Sequence, residues 1–259
     1  MFESLYAPLP DTVPYMERLG LADLPLRHDL ETLNCLLSAH VQRIPFENLD
    51  AYAAGRVPSL AVRDLYDKII LHRRGGWCHE LNALLYAFLS ALGFSVYSVG
   101  ARVLTKGFVT PIGHHGVVCV LDGRKYYCDV GFGDIAVQSA VALDGTPSPF
   151  GFRMEKRGDW YVMLHENAAR TRELLTFADV VYEPVDFLYA NYASATDENE
   201  SFRNTLYVSI MDGETRLLLR GGTLTATCGG VRTILAETAD PARLQALLTE
   251  YFGIRYPLA

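Results

Sequence analysis

Arg74-Gly75-Gly76-Trp77-Cys78-His79-Glu80-Leu81-Asn82 places one cysteine where the chain leaves a glycine turn and enters a helix. The helix is written in its apolar stripe, Leu81, Leu84, Leu85, Phe88, Leu89 and Leu92, and Gly93 supplies the stop. Backbone N–H groups and partial positive charge at a helix start favour an anion, so a thiolate at that position is stabilised. One face of this helix is core, and Cys78 stands at its rim. Upstream, residues 14 to 92 read as helical throughout. Ser59, following Pro58, is the expected N-cap of a helix carrying Val62, Leu65, Tyr66 and Ile69, with Gly75 as its stop.

Downstream of Phe94 the period changes. Short β-rich runs cover 94–103, 115–121, 124–130, 160–164, 205–211, 215–220 and 223–227, separated by Gly and Asp. They are too many and too short for a parallel sheet with helical crossovers, so an antiparallel barrel or sandwich is expected. The chain ends in helix again: Asp240 caps, Pro241 occupies the first turn, and Leu244, Leu247, Leu248, Tyr251 and Phe252 form the stripe before Gly253. The polar run from Ser194 to Ser201 reads as a mobile loop or a domain boundary.

With 259 residues, 50% hydrophobic and 20% charged, the chain can bury a large core as one elaborate domain or two to three small ones. The stretch Met1 to Leu5 lacks the charged and apolar regions of a leader, and no run reaches the roughly 18 apolar residues of a spanning helix. A cytoplasmic location is expected. The five cysteines, 35, 78, 119, 128 and 228, form no C-x-x-C pair, which suggests neither a disulfide framework nor a zinc site. A net charge of −7 speaks against nonspecific binding to nucleic acid or an anionic membrane.

The second telling segment runs from Gly113 to Gly133. Two β runs flank Asp122-Gly123, the sequence signature of a two-residue type I′ hairpin. If Leu121 pairs with Arg124, Gly116 falls opposite Asp129. Side chains alternate faces, so His114 shares a face with Asp129 as its diagonal neighbour, about 7–8 Å between backbone positions and within side-chain reach. His115 points the other way. Gly116 leaves the space beside Asp129 open for the His114 ring, and a one-residue bulge would exchange the two histidines. A cysteine at a helix start, a histidine on a strand and an aspartate across a tight hairpin supply the nucleophile, base and orienter of a Cys-His-Asp triad: Cys78, His114 and Asp129.

These residues resemble the arylamine N-acetyltransferases. Tyr15-Met16-Glu17-Arg18-Leu19-Gly20 and Ile44-Pro45-Phe46-Glu47-Asn48-Leu49 are similar to that family's first segments in order and spacing. Arg74 to Glu80 resembles its nucleophile motif, and Asp129 to Gly133 its aspartate-valine-glycine-phenylalanine-glycine motif. The family's histidine, counted without a gap, falls on His114. Gly113 stands where threonine is usual, His79 where an apolar residue is common, and Asp134 where glycine is frequent. The resemblance is good over 14–135 and weaker beyond, where Asp186 to Phe202 is similar to the later substrate segment.

The fold implied is α+β, with an N-terminal helical bundle (1–92), a central antiparallel β-barrel (93–190) and a C-terminal α/β lid (191–259) around a cysteine-protease-like Cys-His-Asp core. The reaction implied is ping-pong acyl transfer from acetyl-CoA, as co-substrate, to an arylamine, arylhydrazine or N-hydroxyarylamine through acetyl-Cys78. No metal or tightly bound cofactor is required. By the same resemblance Phe46, Phe132 and Phe202 would line the acceptor pocket, and Gly131 and Gly133 would let backbone approach the donor. Arg74, Glu80 and Asn82 are read as supports. A related amide synthase that closes a macrolactam and, further off, a cysteine hydrolase are the alternative readings.

Overall fold

The computed structural model describes residues 2–133, 135–167 and 170–258; Asp134 lies outside them. Helices build the first third of the chain: α1 Val13–Leu19, α2 Leu30–Arg43, α3 Leu49–Tyr52, α4 Val62–Leu65 and α5 Cys78–Ala91. They enclose a core in which the fully buried Tyr15 stacks on Phe88 at 3.8 Å. The helical segment is interrupted by one short strand, β1 Phe46–Glu47.

The long helix expected from Ser59 to Gly75 is a correction. Ala61 is the N-cap of α4, while Ser59 folds onto its neighbours, accepting from the Ala61 N–H and donating to Asp64. A π-helical segment, Tyr66–Leu71, continues α4, and Arg73 turns the chain at φ 55°. Gly75 therefore stops nothing. It lies so close to the Pro45 carbonyl that any Cβ would overlap it.

Seven strands follow: β2 Ser95–Val103, β3 His114–Leu121, β4 Arg124–Cys128, β5 Val141–Ala142, β6 Phe152–Arg157, β7 Trp160–Glu166 and β8 Thr171–Ala178. They form one antiparallel sheet in the order β5-β4-β3-β2-β8-β7-β6. Its end strands β5 and β6 approach each other, so the sheet curls into a nearly closed barrel around Tyr127, Phe152, Met163 and Phe177. Strands β5, β6 and β8 were not expected from the sequence, because β5 has only two residues and charged residues such as Glu155, Lys156 and Glu173 break the alternation of β6 and β8.

The remainder comprises α6 Leu188–Thr196, α7 Ser201–Asn204, β9 Tyr207–Asp212, β10 Thr215–Arg220, β11 Thr223–Cys228, β12 Val231–Glu237 and α8 Pro241–Phe252. The polar run at 194–201 is thus the end of α6, a four-residue loop over 197–200, and the first residue of α7. Strand β12, also unexpected, is an exposed edge whose apolar residues Val231, Ile234 and Leu235 do not alternate. β1 pairs with β9, so the five-stranded sheet β1-β9-β10-β11-β12 ties the helical segment to the C-terminal one. Asp240 caps α8 by accepting from Ala242, and Gly253 ends it in the left-handed region, as the sequence implies.

Candidate active site

Cys78 is the first residue of α5, half-buried at the floor of a cleft of about 580 Å3. The turn that delivers it is held from both sides: Gly76 bridges Phe46 of β1, and the Trp77 N–H donates to Glu80 Oε2 at 3.1 Å. Opposite stands the β3–β4 hairpin. Leu121 pairs with Arg124 and Val117 with Cys128 without a bulge, and both turn residues, Asp122 and Gly123, have positive φ as a type I′ turn demands.

That register brings His114 and Asp129 together. His114 Nε2–H donates to Asp129 Oδ2 at 2.6 Å, and both side chains are buried. With Nε2 so engaged, Nδ1 is the ring nitrogen left for the Cys78 thiol, whose acidity depends on His114. His115 faces away, with Nε2 at 2.9 Å from Ser98 Oγ and its ring stacked on Phe187 at 3.8 Å.

The space beside Gly116 is not open, as the sequence reading had it. The Tyr127 ring fills it, where any Cβ on Gly116 would overlap, and its hydroxyl donates to Asp129 Oδ2 at 3.0 Å. Tyr127 sits two residues before Asp129 on the same strand face, so alternation alone could have found it. Asp129 Oδ1 accepts from the Gly131 N–H at 2.9 Å and from Asn82 Nδ2 at 2.8 Å. A carboxylate gripped by this many donors is fixed in position.

Burial works against a charged thiolate, but the two imidazoles, His79 and His114, outweigh it and bring Cys78 down to about 5. Burial likewise disfavours imidazolium at His114; the Asp129 carboxylate, with a smaller contribution from Cys78, raises it to about 10. The signs agree: thiolate and imidazolium are the favoured pair at neutral pH. Cys119 has no such partners, and burial pushes its thiol up to about 12.

Phe46, Phe132 and Phe202 all line the cleft with Cys78 and His114. Phe46 lies 5.5 Å from Phe202 and 5.6 Å from Tyr207, while Phe132 meets the edge of His114 at 5.4 Å. Gly131 runs against the start of α5, where a Cβ would stand 2.6 Å from Cys78 Cα. Gly133 packs on the Phe46 ring, and its carbonyl accepts from Tyr207 and Arg216. Tyr207 and Arg216 are further site residues that the sequence reading missed; neither sits in a recognisable motif. Asn48, inside a quoted motif but given no role there, donates to the Phe202 and Thr205 carbonyls and accepts from the Tyr207 N–H.

An α+β chain in which a helix-start thiol, a strand imidazole and a buried carboxylate converge on one aromatic-lined cleft falls into the class of cysteine-centred Cys-His-Asp proteins. The family model described as N-acetyltransferase matches residues 29–258. Arylamine N-acetyltransferase of Mycolicibacterium smegmatis is 31% identical over 253 residues, covering 93% of this chain and 90% of that one. The solved arylamine N-acetyltransferase from Salmonella typhimurium superposes with a TM-score of 0.88 at 26% identity, covering 96% of this chain and 92% of that one. That of Mycobacterium marinum in complex with CoA gives 0.86 at 27%, covering 95% and 93%. The chain belongs to the arylamine N-acetyltransferase family.

Proposed function

We propose that the protein transfers an acetyl group from acetyl-CoA to an arylamine or arylhydrazine through acetyl-Cys78. The observation that carries this reading is the imidazole of His114, fixed at 2.6 Å by Asp129 and lining the same cleft as a thiol at a helix start. In the first half-reaction Cys78 Sγ attacks the thioester carbonyl carbon. The C–S bond to CoA breaks, and the departing sulfur takes a proton from His114 Nδ1. In the second, the amine nitrogen attacks the acetyl carbon, His114 Nδ1 takes its proton, and the bond to Cys78 Sγ breaks. Asp129 keeps the ring oriented and stabilises each imidazolium.

Phe46, Phe132 and Phe202 are proposed as the acceptor's aromatic walls. Gly131 and Gly133 are proposed as the backbone edge that the donor passes. A cleft of about 580 Å3 suits a small acceptor, which supports arylamine transfer over macrolactam closure. Residues 1–92 would supply the thiol, 93–190 the imidazole and carboxylate, and 191–259 the wall carrying Phe202. Five free thiols support a reducing compartment such as the cytoplasm. Among the described residues no helix is long and apolar enough to cross a membrane.

Acetyl-CoA added without acceptor is expected to release about one equivalent of CoA and to leave one acetyl group on Cys78, a burst signature of covalent catalysis. Intact-protein and peptide mass spectrometry read both. No adduct on the wild type, or the same adduct in Cys78→Ala, refutes the reading.

A further inference from the structure

His79 stands directly after the nucleophile. Its Nδ1 lies 3.6 Å from Cys78 Sγ, the one hydrogen-bond partner of that ring among the described residues. The ring is 1% exposed, and its Nε2 is buried with no partner among the described residues. Around it are aromatic rings: Trp77 at 6.4 Å and Phe187 at 6.2 Å between centroids. A buried imidazole whose sole polar contact is a sulfur gains most by placing its proton on Nδ1, aimed at that sulfur. The thiol therefore has two imidazoles, one on β3 and one on its own helix.

From this geometry we propose that His79 is a second catalytic histidine, which donates Nδ1–H to the Cys78 thiolate and makes it a better leaving group from the acyl-enzyme. The inference rests on the acetyl-Cys78 reading for its second half-reaction, though the contact itself does not. When the acceptor nitrogen has added to the acetyl carbon, His114 Nδ1 takes the nitrogen's proton, the C–S bond breaks and its electron pair goes to Sγ. His79 Nδ1–H donates to Sγ as that negative charge develops and keeps its own proton. A thiolate held this way has lower basicity and leaves faster. The cost is a weaker nucleophile in the first half-reaction, partly offset by a larger thiolate fraction.

The consequence is specificity for the acceptor. A weakly basic arylamine is itself easily expelled from the tetrahedral intermediate, so its reaction depends on the sulfur leaving first. His79 widens the acceptor range toward such amines. The other titratable groups around the sulfur do not supply this. His114 is occupied with the nitrogen's proton, Asp129 and Tyr127 lie behind His114, and His115 is turned to Ser98. Glu80 is engaged with Lys68 and the Trp77 N–H.

Two variants test it. His79→Phe removes the donor while keeping a flat ring among Trp77 and Phe187. His79→Asn keeps an N–H near the position of Nδ1. Cys78 alkylation by iodoacetamide, followed against pH, is expected to show its inflection roughly one pH unit higher in His79→Phe, about tenfold in rate below the inflection, and closer to wild type in His79→Asn. This readout needs no acetyl transfer, so it stands or falls apart from the acetyl-Cys78 reading, which the mass measurement tests.

Single-turnover decay of the acetyl-enzyme with substituted anilines should slow in His79→Phe by roughly tenfold for weakly basic anilines and less for strongly basic ones. An inflection unmoved in His79→Phe, or moved equally in both variants, overturns the contact. A uniform slowing across the anilines overturns the leaving-group role.

Discussion

Asn82 is fully buried and holds three groups of the site at once. Its Nδ2 donates to the His115 carbonyl at 2.6 Å and to Asp129 Oδ1 at 2.8 Å, and its Oδ1 accepts from the Val130 N–H at 3.0 Å. Asn82→Ala deletes all three bonds and strands a carbonyl and an N–H where water has little access. At about 1 to 3 kcal/mol for each of the two orphaned groups, the expected loss is roughly 2–6 kcal/mol. For a chain of this size that lowers Tm by about 10 °C or more. Asp129 keeps Gly131, Tyr127 and His114 but loses the contact that ties it to α5. Cys78 and His114 then no longer share one rigid frame, and acetylation by acetyl-CoA should fall on the order of 100-fold.

Asn82→Asp separates shape from chemistry. It keeps the volume and the acceptor for Val130, but sets a second carboxylate oxygen 2.8 Å from Asp129 Oδ1. Two carboxylates that close share one proton, so His114 faces a neutralised partner part of the time. Thermal unfolding and the burst of CoA release read the two effects. If Asn82→Ala unfolds within about 2 °C of wild type and acetylates at the wild-type rate, the claim that this amide aligns the site is wrong.

Three further outcomes are expected. His114→Ala should abolish acetylation while His115→Ala should largely spare it and cost about 1–3 kcal/mol through the lost Ser98 bond and Phe187 stacking; the opposite pattern would contradict the hairpin register. Cys78 alkylation should climb as pH rises through about 5, where the thiol loses its proton, and hold level until His114 loses its own near about 10. A single rise in the ordinary thiol range near pH 8–9 would remove the ion pair from the account. Phe202→Ala should raise the KM for an arylamine roughly fivefold, the worth of one aromatic contact, and leave the acetyl-CoA half-reaction unchanged; an unaltered KM would exclude Phe202 from the acceptor wall.

The parts of the fold legible in the sequence are those specified locally. Asp122-Gly123 sets a register through two positive φ angles, and that register alone selects His114 over His115. The stripe of α5 and the caps of α8 are equally local. Strands β5, β6, β8 and β12 were not legible, because β5 has only two residues, β6 and β8 mix charges into their pattern, and β12 is an exposed edge. Gly75 was misread for a related reason: a close approach to Pro45 leaves the same letter in the sequence as a helix stop does. Tyr127 was missed although its position two residues before Asp129 carried the signal. Tyr207 and Arg216 reach Gly133 across the five-stranded sheet, and no local pattern announces a contact of that range.

The segment Ile44 to Leu49 holds no reacting group, yet the site is built around it. Glu47 is buried and accepts from Arg74 Nε at 2.9 Å and Nη2 at 2.6 Å, and from the Leu49 N–H. Lys68 joins Asp50 at 2.6 Å to Glu80 at 2.7 Å, and Glu80 takes the Trp77 N–H. Asn48, next along, fastens the carbonyls of Phe202 and Thr205. The turn before Cys78 and the segment carrying Phe202 are therefore tied to the same few residues from opposite sides. Buried ion pairs return little net stability, since desolvation consumes most of the attraction. What they fix here is geometry: each cation has more than one carboxylate partner, and together they link β1 to the turn that precedes Cys78. That explains how a motif remote in sequence from Cys78 can mark the chemistry as firmly as the cysteine itself.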